Sequence, residues 1–163
     1  MIATEQPDVS LQWLHEGHAG SLHRLLQENR THLTEHGDYR EQVSTSLDVI
    51  RSELSAANGL RFGILVRDAL VGRIDLVPVE PPQFGLGYWL AKNATGQGYA
   101  TAAVRALVAY AATELGASDI YAGVTHGNAR SEALLRRTGF VAVARFDTYT
   151  RFHRSLAASS IQD

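Results

Sequence analysis

A single α/β domain on a mixed sheet is the fold class this sequence predicts, and three observations carry it. Helical periodicity dominates the first third of the chain, and apart from one short run near its start the strand-like runs come after Gly59. After a short meander, the order becomes strand, helix, strand, helix, strand and strand. The long apolar helix between two of those strands must cross the sheet and return the chain parallel to its predecessor. With 163 residues, one unit can bury a proper core.

Leu11 to Leu14 reads as a short first strand. Ala19, Leu22, Leu25 and Leu26 recur at helical spacing and predict a first helix over Glu16 to Gln27. Tyr39 to Ala57 is expected to be one second helix, with Val43, Leu47, Ile50 and Leu54 on one face. Asn58-Gly59 closes it. The polar link Asn29 to Asp38 joins the two helices and leaves room for a further helical turn. Phe62 to Val66 and Leu70 to Val77 are apolar runs around Arg67-Asp68-Ala69, which predicts a hairpin. Pro78, Pro81 and Pro82 are expected to break regular structure before a strand at Phe84 to Leu90. The long helix runs from Tyr99 to Leu115 and stops at Gly116, a residue suited to a left-handed C-cap. Ile120 to Val124 is a strand, Ala129 to Arg137 a short helix, and Phe140 to Ala144 and Thr148 to Phe152 the last strands. Residues 1–156 form the expected domain, and 157–163 a frayed tail.

Composition removes several classes of function. A net charge of -2 gives no electrostatic case for nucleic acid. The absence of cysteine excludes disulfides, thiol nucleophiles and zinc–thiolate centres. Met1 to Gln12 has no basic start or long apolar run, so no signal peptide is expected. Ala102 to Ala112, the longest apolar helical stretch, is interrupted by Arg105 and too short to span a bilayer. A cytoplasmic protein with no membrane partner is the expectation.

The chemistry concentrates in Gly87-Tyr88-Trp89-Leu90-Ala91-Lys92-Asn93-Ala94-Thr95-Gly96-Gln97-Gly98-Tyr99-Ala100-Thr101. An apolar strand runs into a turn with two glycines and then into the long helix. Helix starts expose unpaired N–H groups and carry partial positive charge, so they hold phosphates well. Gly96 and Gly98 remove the Cβ atoms that would keep a pyrophosphate from those amides. A dinucleotide fingerprint would need glycine at Thr101 and an acid closing the next strand, but Asp119 opens that strand. A phosphate loop would need Gly-Lys-Ser/Thr, and the chain has none.

Gly87-Tyr88-Trp89-Leu90, Gly96-Gln97-Gly98-Tyr99-Ala100 and Asn128-Ala129-Arg130-Ser131-Glu132-Ala133-Leu134-Leu135-Arg136-Arg137-Thr138-Gly139-Phe140 follow in an informative order. Together they resemble the GCN5-related N-acetyltransferases (GNAT), and more narrowly the ribosomal-protein N-terminal (RimJ/RimL-type) branch. The likeness is strongest from Val71 to about Phe140. It implies a mostly antiparallel sheet with a central, splayed parallel pair, helices on both faces, and acetyl-CoA as cofactor. Main-chain groups around Tyr88, Trp89 and Leu90 would bind the pantetheine arm like an added strand. Thr95, Gly96, Gln97, Gly98, Tyr99, Ala100 and Thr101 would hold the pyrophosphate, although the family usually has Gln or Arg where Thr95 stands. Asn128 matches an asparagine that contacts the pantetheine arm, and it also reads as a helix N-cap. Gly139-Phe140 reads as a helix stop and core anchor.

Many members protonate the departing thiolate with a tyrosine at the position of Leu135. Leucine cannot do that, and the resemblance points instead to Ser131, one helical turn earlier; the alternative is an ordinary surface serine. No glutamate lies on Phe84 to Leu90, which leaves Asp75, Glu80, Asp147 or a relayed water as base, or none of them. That weakness bears on the acceptor. At pH 7 roughly a tenth of α-amines are neutral, against about one lysine in two thousand. An α-amine or another low-pKa amine is therefore favoured.

The acceptor pocket is expected between the link Asn29 to Tyr39, the Pro78 to Gln83 loop and the last two strands. Its polar candidates are Asn29, Arg30, His32, Asp38, Tyr39 and Gln83, with His36 beside them. His32 and His36 are spaced i, i+4 but lack a third ligand, so no metal is expected. Arg151, His153 and Arg154 suggest an anionic feature of the acceptor, a contact between two copies, or a solvated strand face. A homodimer stays open. The reading is direct acetyl transfer to a primary amine in a ternary complex, with a strand N–H near Leu90 polarising the carbonyl. The amine belongs to a protein or peptide N-terminus or to a small molecule, including an antibiotic. The rivals are a non-catalytic acyl-CoA-binding module and a dinucleotide-binding fragment.

Overall fold

The computed structural model describes residues 1–36, 38–56 and 59–156. The chain opens with β1 (Ile2–Ala3) and β2 (Val9–Trp13), a 3-10 turn at Glu16–His18, and α1 (Ala19–Glu28). Three short helices follow: α2 (Arg30–Leu33), α3 (Arg40–Val43) and α4 (Leu47–Leu54). A meander of β3 (Leu60–Val66), β4 (Ala69–Glu80) and β5 (Gln83–Leu90) leads through a 3-10 turn at Lys92–Ala94 into α5 (Tyr99–Glu114). The last elements are β6 (Asp119–Thr125), α6 (Ala129–Arg137), β7 (Val141–Arg145) and β8 (Tyr149–Ser155).

The eight strands form one sheet in the order β1-β2-β3-β4-β5-β6-β8-β7. Every neighbouring pair is antiparallel except β5 and β6, which α5 joins as parallel neighbours. The mixed sheet with one central parallel pair is thus as the sequence implies. Each face carries its own core. On one, Phe62, Ile64, Ile74, Ile120 and Phe152 pack against Val104, Leu107 and Ala111 of α5 and Leu134 and Leu135 of α6. On the other, Leu14 and Trp89 pack against Leu22 and Leu26 of α1 and Ile50 and Leu54 of α4.

Three expectations need correction. The strand β1, paired through Ile2 to Leu11, has no signature in the sequence, because two residues carry no periodicity. The single helix Tyr39 to Ala57 is two helices, because the Ser46 backbone is extended and its hydroxyl accepts from Val49 N to start α4. Its expected last residue Ala57, the stop at Asn58 and the tail 157–163 lie outside the described residues. Pro78 does not end its strand, since β4 runs on to Glu80. Pro78 pairs with Phe84 in a position whose N–H faces away from β5, and β3 begins opposite Leu76, so no ladder bond is lost. The hairpin does form around Arg67 and Asp68, both at positive φ (50° and 71°).

The parallel pair positions everything that follows. β5 and β6 are joined by three residue pairs, Gln83 to Asp119, Phe84 to Ile120 and Gly85 to Tyr121. Beyond them β5 stays with β4 up to Leu90, and β6 stays with β8 up to Thr125. The two strands therefore part. Gly72 on β4 keeps the end of β5 on its own side, because a Cβ there would stand 2.3 Å from the Trp89 carbonyl oxygen.

Candidate functional site

Pairing register decides which main-chain groups face the gap. Ala91 N donates to Val71 O at 2.7 Å, so along this ladder Trp89 bonds to β4 while Tyr88 and Leu90 turn their N–H and C=O away from it. Tyr88 and Leu90 thus present backbone groups to the space between the strands. The Trp89 side chain is buried on the other face, where its Nε1 donates to Gln42 Oε1 at 3.1 Å.

Past the gap, α5 begins without a side-chain cap. Gly96 and Gly98 have φ of +77° and +82°, and no heavy atom stands within 4 Å of a Cβ built on Gly96. Both left-handed turns bring backbone amides together at an uncapped helix start, which is an anion-binding arrangement. A cleft of about 540 Å³ runs from there to α6, and Lys92, Arg130 and Arg137 line it. The chain is acidic overall, yet this end of the cleft is cationic. Arg137 is fixed by donating to Thr101 Oγ1 at 3.1 Å.

On the α6 side, Asn128 caps the helix by accepting from Ser131 N at 3.2 Å. Ser131, Asn128, Tyr88, Asp38 and Tyr39 share a small inner cleft of about 40 Å³ between the parted strands. Burial raises the Tyr88 phenol above its ordinary pKa, and Ser131, then Arg137, pull it partly back. The phenol's oxygen is buried and makes no full hydrogen bond among the described residues.

The link between α2 and α3 closes the other side. Tyr39, at a φ of 59°, donates its phenol to the Tyr88 carbonyl, while Asp38 accepts from the Thr125 hydroxyl. Two consecutive residues therefore fasten the link to both parted strands, one to β5 and one to β6. Burial pushes the Tyr39 phenol far up, helped by Tyr88, Asp38 and Asp75. His32 and His36 line the larger cleft, and His36 Nε2 lies 3.3 Å from Glu35. Among the described residues no group of three metal-ligating side chains forms.

Most of the residues singled out in the sequence meet here. Tyr88, Trp89, Leu90, Asn128 and Ser131 line the cleft, as do Thr95, Gly96, Gly98, Tyr99, Ala100 and Thr101 of the glycine turn. From the link it takes in His32, Asp38 and Tyr39. Four lie outside it. Asn29 accepts from Lys92 N and donates to Leu25 O, pinning the link to the turn after β5. Arg30 clasps Gln27 and the Val43 carbonyl. The Gln97 side chain bonds to Asn93 O and Tyr99. Gln83 stands at the closed end of the parallel pair, opposite Asp119, a full strand away from the gap.

The acids fare differently. Asp75 is held by Arg73 through contacts of 2.9 to 3.1 Å, and Arg73 also reaches Glu53 at 2.6 Å. Burial raises the Asp75 carboxyl despite that partner. Glu80 and Asp147 are exposed and line neither cleft. Lys92, Arg130 and Arg137 were not assigned from the sequence. Their signal was one of placement, since each lies within a few residues of the glycine turn or along α6.

Residues 8–141 match the family model described as an acetyltransferase (GNAT) domain. YdaF of Bacillus subtilis (strain 168), provisionally named a ribosomal N-acetyltransferase, is 33% identical over 105 residues. That stretch is 63% of this chain and spans just over half, 56%, of the relative's length. Among solved structures, RimL, a ribosomal alpha-N-protein acetyltransferase in complex with coenzyme A, superposes with a TM-score of 0.83 at 20% identity. The match covers 97% of this chain and 99% of that one. MccE, a microcin C7 self-immunity acetyltransferase in complex with acetyl-CoA and AMP, gives 0.76 at 16% identity, covering 92% and 93%.

Proposed function

The chain belongs to the GNAT acetyltransferase family, and on that premise we propose that it moves an acetyl group from acetyl-CoA directly to a primary amine. The observation that carries the reading is the gap between β5 and β6 opening beside the uncapped, glycine-led start of α5. A diphosphate and a thioester arm need those two features side by side, and the residues present fit both. The Gly96–Gly98 turn, the first amides of α5, and Lys92, Arg130 and Arg137 would hold the phosphates. The gap-facing main chain of Tyr88 and Leu90 would take the pantetheine arm as an added strand. Acetyl-CoA supplies an activated acetyl group. The Leu90 N–H would polarise a carbonyl in the gap, and Ser131, which lines the inner cleft beside the Tyr88 phenol, would be the proton donor.

The acceptor we favour is the α-amine of a protein N-terminus. A free α-amine is already partly neutral at pH 7, and the similarity to proteins named as ribosomal N-acetyltransferases supports the same class. A cytoplasmic location goes with this reading. The test is acetyl-CoA consumption against short peptides, amino acids, polyamines and aminated antibiotics. Turnover highest on peptides supports the reading, and turnover confined to a small amine moves the acceptor. Binding of acetyl-CoA without turnover on any amine leaves a non-catalytic module. Ser131→Ala should lower kcat by about 10²-fold or more with acetyl-CoA affinity kept.

A further inference from the structure

We infer that Asp38 is the base of this reaction, taking the proton that the acceptor amine loses as it forms its bond to the acetyl carbon. The inference rests on the proposed function and deepens it. The inner cleft between the parted strands has Ser131 on the α6 side and Asp38 on the link side. Proton donor and proton acceptor thus line one cleft from two different elements, α6 and the link. An attacking amine and a departing thiolate need two such groups, one to take a proton and one to give it. As the C–N bond forms, the amine proton passes to the Asp38 carboxylate; as the C–S bond breaks, the sulfur takes a proton from Ser131. Ser131 and Asp38 then exchange protons with solvent, so the cycle closes with no further reactant.

The other acids do not compete. Asp75 is committed to Arg73, and Glu80 and Asp147 lie outside both clefts. Asp38 is held by one oxygen, which accepts from Thr125 of β6. Among the described residues its other oxygen has no donor, which leaves it for an amine. The charged and titratable groups that line the larger cleft with it are His32 on α2, Glu35, His36 and Tyr39 on the link, Tyr88 on β5, Lys92 and Tyr99 at the two ends of the glycine turn, and Arg130 and Arg137 on α6. His32, Glu35 and His36 are the rival bases in that set, and all three line the outer cleft but not the inner one; His36 is the nearest of them to Asp38 in the chain.

The experiment takes the amine that the wild type acetylates fastest and follows kcat/KM from pH 6 to 9.5. Asp38→Asn should lower it at least about 100-fold at pH 7. The deficit should shrink as pH rises, because hydroxide can then take the same proton in place of the carboxylate. Asp38→Glu, which keeps a carboxylate, should retain a tenth or more of the rate and the wild-type pH profile. Calorimetric binding of the same amine to the CoA-loaded protein should weaken in Asp38→Asn, while acetyl-CoA binding and the melting temperature stay. A deficit that is equal at every pH, an Asp38→Glu variant as inactive as Asp38→Asn, or His36→Ala reproducing the pH signature would overturn the assignment alone. A wild type that binds acetyl-CoA and acetylates nothing overturns the proposed function, and Asp38 with it.

Discussion

Tyr39 donates its phenolic hydrogen bond to the main-chain carbonyl of Tyr88, on the parted edge of β5. The link therefore occupies a group that an added strand would use. Tyr39→Phe keeps the ring and frees the carbonyl. One hydrogen bond is worth about 0.5–1.5 kcal/mol net, so acetyl-CoA should bind about two- to tenfold more tightly by calorimetry. An unchanged affinity would mean that the carbonyl accepts both donors at once.

Gly96 sits at a φ of +77° with open space where a Cβ would go. Gly96→Ala meets no clash, yet it puts a methyl group over the amides at the start of α5. Left-handed backbone costs a residue with a side chain about 1–2 kcal/mol, which lowers the melting temperature by about 5 °C. Acetyl-CoA affinity should fall more than tenfold, far beyond what that strain explains. A melting curve and a titration on the same preparation separate the two effects.

Gly72 on β4, opposite Leu90, and Gly87 on β5, opposite Asp75, differ in the room they leave. A Cβ on Gly72 would press the Trp89 carbonyl oxygen, whereas one on Gly87 meets nothing within 4 Å. Gly72→Ala should destabilise by about 1–3 kcal/mol and weaken acetyl-CoA binding, because β5 must shift to make room. Gly87→Ala should leave stability within about 0.5 kcal/mol by urea denaturation.

Asp119 anchors the closed end of the parallel pair, where its carboxylate lies 2.7 Å from His153 Nε2. His153, and then Ser118, hold its pKa below the ordinary 3.8. A lowered carboxylate pKa stabilises the fold above the ordinary value, and that contribution fades as pH drops through the lowered one. Asp119→Asn should therefore be less stable than wild type at pH 5.5 and equal to it near pH 2. The pair is partly exposed, so the gap in urea unfolding should stay below about 1 kcal/mol.

Strands and helices with strong periodicity were legible in the sequence, because burial on one face imposes spacing. Leu22 and Leu26 announce α1 and Phe62 and Ile64 announce β3 in this way. The glycine turn was legible because a left-handed backbone before a helix leaves little choice of residue. What the sequence hid were facts of register and length. That Tyr88 and Leu90 face the gap while Trp89 faces β4 follows from pairing with Val71 and Arg73, which no local pattern encodes. Gln83 was placed in the acceptor pocket by proximity to the proline loop, but eight residues of strand carry that loop to the opposite end of β5. Asp38 was grouped as one polar residue of a link; only the fold shows it reaching Thr125, 87 positions along the chain.

The three-pair join between β5 and β6 leaves the sheet as two plates sharing a short weld. An arm laid along the open seam would act as a rivet, with one plate on each side. Ligand binding would then register as rigidity of the whole domain, and amides far from the seam, in β3 and β8 alike, would exchange their hydrogens more slowly. At a hundredfold excess over its Kd, such a rivet adds about 2.7 kcal/mol to the stability of the folded protein.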